Sequence, residues 1–157
     1  MFVNSARVAS MPRWFIAVVL LAIATAFAYW YFVLMAPFAK RDADAKIAFT
    51  PLIQLKPLIL DNAFGVYHVE FWPDSKLTDE NVSRILSLNQ LPAEYDLTLW
   101  LKTPAVTDAS IPVLAQLTTT DAIVIDGAGL TPAGLKRLSA ANPKLGLFSP
   151  DGKRIIH

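Results

Sequence analysis

Between residues 14 and 39 the chain carries no charged side chain: WFIAVVLLAIATAFAYWYFVLMAPFA. A helix needs about 20 apolar residues to cross a hydrocarbon core of about 30 Å, so this run is long enough to span a bilayer with some tilt. Arg7 and Arg13 precede it, and Lys40, Arg41 and Lys46 follow it. Trp14 and Phe15 mark one end, while Tyr29, Trp30, Tyr31 and Phe32 crowd the other half, where amphipathic rings favour the membrane interface. Pro37 marks the expected exit. A cleaved signal peptide has an apolar core of about 7–15 residues with a small-residue site close behind. This core is longer, and the A-x-A that follows it, Ala43-Asp44-Ala45, is embedded in charges. The segment reads as a retained, single-pass anchor. Two basic residues precede the span and three follow it, a count that the α-amino group nearly evens; the expected orientation is an amino terminus inside and an extracytoplasmic domain.

Within the span, Ala22/Ala26 and Ala24/Ala28 are small residues at i, i+4, spacing that lets a second helix approach and that plain alanine filler also produces. The four adjacent aromatics, Tyr29 to Phe32, have two readings. One is an interfacial belt; the other is packing against a partner helix, a lipid or a pigment.

Composition narrows what the rest can be. The chain is 54% hydrophobic and 17% charged, against about 45–50% and about 25% in soluble domains. Its 157 residues leave room for one compact domain beside the anchor. A net charge of +1 creates no field to attract nucleic acid. The absence of cysteine removes disulfides, thiolate catalysis and every Cys-based metal site. Two histidines, His68 and His157, cannot build a multi-His metal site. No cofactor is expected.

Four segments follow from this reading: a short tail (1–13), a transmembrane helix (14–39), a linker and lead-in segment (40–61) and a folded domain (62–157). Residues 40–46, KRDADAK, read as a charged linker. Residues 47–61, IAFTPLIQLKPLILD, are apolar but interrupted by Pro51 and Pro57, which points to an extended, irregular stretch that caps the core or lies on the bilayer.

Beyond Gly65 strands and helices alternate. VYHVEFW (66–72) is β-branched and aromatic and is closed by Pro73, as a strand is. LTDENVSRILSLNQL (77–91) places Val82, Ile85, Leu86 and Leu88 on one helical face, with Thr78 or Asp79 as cap. DLTLWL (96–101) and AIVI (122–125) are further strands, and residues 144–148 suggest a last one before the Asp151-Gly152 turn. Helices are expected over 106–117, with Pro112 in the first turns, and over 130–140, with Pro132 at the start. The strands are expected to be near-parallel, with the helices on one face.

An internal repeat underlies the alternation. Leu77-Thr78-Asp79, Val106-Thr107-Asp108 and Leu130-Thr131-Pro132 share one marker, with its threonines 29 and then 24 residues apart. Both spacings fall within the 20–29 residues of leucine-rich repeats. The unit resembles the bacterial leucine-rich repeat LTDxGLxxLxxLxxLxxLxL; LTPAGLKRL (130–138) matches it most closely, and Asn142-Pro143-Lys144-Leu145 resembles its link to the next strand. The likeness covers about residues 66–149. It departs at Asp96 and Thr120, where the motif has leucine, and at the extra residues around 92–95. The resemblance implies parallel strands on one face and helices on the other, a recognition surface, and no catalytic residue.

No reaction chemistry assembles. Asp126-Gly127-Ala128-Gly129 lacks the phosphate-loop patterns and reads as a turn. His68 shares a strand face with Glu70, but no nucleophile motif accompanies them. Asp74, Asp79, Glu80, Glu94, Asp96, Asp108, Asp121 and Asp126 fit no Ca²⁺ loop and read as solvated loop ends and helix-start charges. Asn81-Val82-Ser83 matches a glycosylation sequon inside an expected helix.

One surface stands out. If Leu99, Leu101, Ile123 and Ile125 face the core, then Thr98, Trp100, Ala122 and Val124 face the other side of the sheet. Trp100 beside Val124 would form an exposed apolar row, and aromatics are enriched at binding hot spots. The alternative is that segment 47–61 folds over it. The sequence therefore points to a non-enzymatic, single-pass membrane protein. Its small domain would dock onto other subunits of a larger membrane complex through Thr98, Trp100, Val124 and Tyr29, Trp30, Tyr31 and Phe32. A free-standing membrane-anchored receptor or scaffold for a soluble ligand is the second reading, and a tethered hydrolase using Asp or His68 the third.

Overall fold

A computed structural model describes residues 12–61 and 65–155. Arg7, His157 and most of the tail 1–13 lie outside the described residues. The chain divides into two units, Met1–Lys40 and Arg41–His157.

The first unit is helical. Helix α1 (Arg13–Tyr29) passes into a π-helical turn (Trp30–Met35) and then into α2 (Ala36–Phe49). Pro37 does not end the helix as expected. It lacks an N–H, and its ring would collide with the carbonyl four residues back. The π turn widens the spiral just before it, with the Ala36 N–H donating to the Tyr31 carbonyl five residues earlier. The one threonine of α1, Thr25, is satisfied internally by donating to the Leu21 carbonyl at 2.8 Å. Among the described residues one helical run, Trp14–Leu55, is long and apolar enough to cross a membrane, and none of its most apolar stretch is buried.

The second unit is a mixed helix–sheet structure. Its five-stranded sheet runs in the order β1 (Leu58–Asp61), β2 (Val66–Phe71), β3 (Asp96–Leu101), β4 (Ala122–Ile125), β5 (Gly146–Phe148). Strands β2 to β5 are parallel and stand side by side in sequence order. Strand β1 is antiparallel to β2. Segment 47–61 is therefore more ordered than expected. Residues 40–46 are helix rather than linker, and a 3₁₀ helix (Thr50–Leu55) follows, with Pro51 in its first turn, where a missing donor costs nothing. Ala48, Phe49, Leu52 and Leu55 are buried and close one end of the core, with the Phe49 ring edge-on to Tyr67 at 5.2 Å.

The connections that carry the chain back between parallel strands are tighter than sequence periodicity suggests. Residues 82–90 form a 3₁₀ helix, not an α-helix. A six-residue strand spans about 20 Å at roughly 3.3 Å per residue. Nine residues of 3₁₀ helix return about 18 Å, where an α-helix would return only about 13 Å. The buried residues Val82, Ile85, Leu88 and Leu91 fall at intervals of three, the 3₁₀ period. The next connection is a 3₁₀ turn (Asp108–Ser110) leading into the short α3 (Ile111–Leu114), and only the last is a longer α-helix, α4 (Pro132–Ala141).

Hydrogen bonds tie each connection to the next. Asp79 accepts from the Thr107 N–H at 2.8 Å and the Thr107 hydroxyl at 2.6 Å, and from the Ser110 hydroxyl. One turn further, Asp108 accepts from the Thr131 N–H at 2.8 Å, the Thr131 hydroxyl at 2.7 Å and Arg137 at 2.9 Å. The ladder has defined ends. The Thr78 N–H has no earlier carboxylate to meet and donates instead to Asn81 Oδ1 at 3.0 Å. Pro132 stands where a third carboxylate would be. Gly134 makes room for the second rung, because a Cβ there would fall on the Asp108 carboxylate. At the other end of the connections, Asn89 spans to Thr118 N–H and Gln116 carbonyl, both at 2.8 Å, and Asn142 reaches the Leu117 carbonyl.

Candidate functional site

The alternation of the strands sorts side chains cleanly. Tyr67, Val69, Phe71, Leu97, Leu99, Leu101, Ile123 and Leu147 face the helices and are buried. Ile125 packs against them, half-buried. In-register pairing places the remaining side chains in two rows across the outer face. One row is Leu60, His68, Thr98, Ala122 and Gly146; the other is Leu58, Glu70, Trp100, Val124 and Phe148. Thr98, Trp100 and Val124 thus lie where the sequence placed them, and segment 47–61 does not fold over them. It adds β1 at the edge, bringing Leu58 (43% exposed) and Leu60 (47% exposed) into the rows.

The row is less open than expected. Val124 is buried, at 7% exposed, and Trp100 and Thr98 are half-buried. Val124 is small and stands between two large cross-strand neighbours, Trp100 and Phe148. The Phe148 ring also lies over Gly146, where a Cβ would collide with it. The exposed apolar surface is therefore displaced toward Leu58, Leu60 and Trp72, the last 44% exposed.

Trp100 has a neighbour that sequence reasoning missed. Lys102 Nζ donates to Glu70 Oε2 at 2.8 Å, with both side chains nearly buried (14% and 13% exposed). The same ammonium sits 3.7 Å from the centre of the Trp72 ring and 5.0 Å from that of Trp100. Two indoles and a carboxylate thus enclose one cation, so the charge is compensated and the surface around it is aromatic. The signal was legible: Glu70 and Trp72, and likewise Trp100 and Lys102, are two apart on adjacent in-register strands. The Trp100 indole N–H is shielded and has no acceptor among the described residues.

The chemical candidates separate. Glu70 is engaged by Lys102 rather than by His68. Asp79, Asp108 and Asp121 are structural acceptors rather than solvated loop charges; Asp121 takes the Leu97 N–H at 2.8 Å. Burial raises the Asp79 carboxyl, but its bonds from Ser110 and Thr107 outweigh that and hold it below the ordinary value of 3.8. Asp108 is likewise lowered, chiefly by the Thr131 hydroxyl. Asn81, the sequon residue, is committed at both ends, its amide donating to the Lys76 carbonyl at 2.8 Å. Gly127, at φ +88°, makes the turn expected of the Asp-Gly-Ala-Gly stretch. Among the described residues no group of three or more His, Asp or Glu could hold a metal ion.

In the first unit, Tyr29 closes α1 and Trp30, Tyr31 and Phe32 begin the π turn. All four are exposed, from 45% at Trp30 to 69% at Phe32. Tyr31 and Phe32 meet edge-on at 5.2 Å, and the Phe27 and Trp30 rings lie tilted to one another at 5.7 Å. Comparison with protein-family models, with curated proteins and with solved structures finds no match for this chain.

Proposed function

We propose that this chain is a non-enzymatic, single-pass membrane protein whose domain is a short leucine-rich-repeat-like stack that docks onto partner subunits of a larger membrane complex. The observation that carries the docking reading is the outer face of the sheet. Trp72 and Trp100 flank an ion pair that is already compensated, and Leu58 and Leu60 lie exposed on the adjoining edge strand. Such a surface can meet another protein without stranding a charge. The repeat reading is supported by the carboxylate ladder: Asp79 and Asp108 occupy the same place in two Thr-Asp markers and bind the threonine of the next. Anchoring is supported by the uncharged run 14–39 and by the exposure of its side chains.

Trp100→Ser tests the docking surface. The wild-type chain, extracted in gentle detergent, should run as a complex of defined mass by light scattering. The variant should run as the lone chain while its circular dichroism is unchanged. A variant that stays in the complex would place docking elsewhere, and a variant that unfolds would make Trp100 a core residue.

A further inference from the structure

The 3₁₀ helix Thr50–Leu55 ends at Lys56, whose φ of 55° and ψ of 53° put a lysine in the left-handed region. Among the described residues it is the only non-glycine with positive φ. Glycine takes such helix-end positions without strain, so a turn needed only for chain reversal would be better served by glycine. The strained turn is pinned by the Lys76 N–H, which donates to the Leu55 carbonyl at 2.9 Å. Lys56 and Lys76 thereby line one open cleft of about 460 Å³ together with Arg84, Gln54, Asn81 and the exposed Ile53. No acidic residue lines this cleft. Elsewhere on the domain Lys102, Arg137 and Lys153 each have a carboxylate within 2.9 Å. Lys56, Lys76 and Arg84 form no ion pair among the described residues.

A neutral group in the cleft holds one of the cations without neutralising it. Arg84 Nη1 donates to Gln54 Oε1 at 2.6 Å, which fixes the guanidinium and leaves its other donors uncommitted. Asn81 is spent on Thr78 and Lys76 backbone groups. Three cations lining one concavity repel one another unless an anion joins them. A guanidinium fork with two ammonium groups matches a multiply charged tetrahedral oxyanion better than a single carboxylate. The geometry points to a phosphate-binding site at Lys56, Lys76 and Arg84, filled by a free phosphate or by the phosphate of a lipid headgroup.

The test uses ¹⁵N-labelled full-length chain in dodecyl maltoside micelles, which carry no phosphate. Inorganic phosphate is titrated against chloride at matched ionic strength, and a second series adds short-chain phosphatidylglycerol. Saturable shifts at the Lys56, Lys76 and Asn81 amides are expected with phosphate and not with chloride. Lys76→Gln/Arg84→Gln should weaken the response by at least about tenfold. A response to the lipid alone assigns the site to a headgroup. Lys56→Gly serves if the double variant does not fold, and it should raise the thermal midpoint while weakening the phosphate response. Equal shifts with chloride, unchanged binding in the variants, or no response in either series would overturn the proposal.

Discussion

On the helix side of the sheet, Tyr67, Val69, Phe71, Leu97, Leu99, Leu101, Ile123 and Leu147 expose 2% or less; on the outer side, the same strands carry His68, Glu70, Thr98, Trp100 and Phe148, all half-buried, beside the exposed Leu58 and Leu60. The backbone and register are common to both faces, so the difference is one of chemistry. The helix side is filled by aliphatic and aromatic side chains, with the Tyr67 hydroxyl as its one polar atom, because a buried polar group without a partner is costly. The outer side is more open, with its nearly buried charges compensated in an ion pair. Its ion pair between two indoles is a choice that folding does not impose, which makes it informative about function.

Substitutions on the two faces should separate accordingly. The largest loss is expected at the centre of the helix side: Leu99→Ala should cost about 3 kcal/mol in denaturant unfolding of the micelle-bound chain. Next is Lys102→Met, which leaves Glu70 nearly buried and unpaired and should cost about 2 kcal/mol. Adding Glu70→Leu to Lys102→Met should recover most of that loss. Additive losses in the double variant would mean that the pair is not coupled.

The carboxylate ladder lies between the extremes. Asp79→Asn turns an amide toward three donors and should cost about 1.5 kcal/mol. Asp79 and Asp108 are both held below the ordinary carboxyl value of 3.8. The unfolded chain therefore takes up these protons at higher pH than the folded one. Their contribution is complete above the unfolded value and drains away as pH falls through the lowered folded values. The acid limb of the stability curve should be shallower in Asp79→Asn/Asp108→Asn than in wild type, and identical limbs would remove the ladder from the account. The smallest effect belongs to the outer face: Thr98→Ala should change stability by less than about 0.5 kcal/mol.

How far these features could be read in the sequence depended on how local their cause is. The parallel strands were legible because VYHVEF, DLTLWL and AIVI are short runs rich in β-branched, aliphatic and aromatic residues, the first two with period-two burial, and Pro73 closes the first. The 3₁₀ connection was not, because Leu86 completes an α-helical stripe beside Val82, Ile85 and Leu88. Only the distance the connection must return selects the period of three. Strand β1 was hidden by Pro51 and Pro57, and its LILD shows no alternation, since it borrows order from its pairing with β2. In the sequence Asp79 and Asp108 read as loop-end or helix-start charges, although each follows a recurring threonine. Their partners lie 28 and 23 residues away, beyond any local pattern. Trp100 was legible as an outer-face residue, but the burial of Val124 came from Phe148 on a neighbouring strand.

The central claim is that the outer face, and not the helix face, meets a partner. Site-specific photo-crosslinking in native membranes tests it by placing a photoreactive residue at Thr98 on the outer face or at Lys136 on the exposed side of α4. The account predicts a discrete adduct of constant mass from position 98 and none from position 136. An adduct from position 136 alone would contradict it and move the docking surface to the helices.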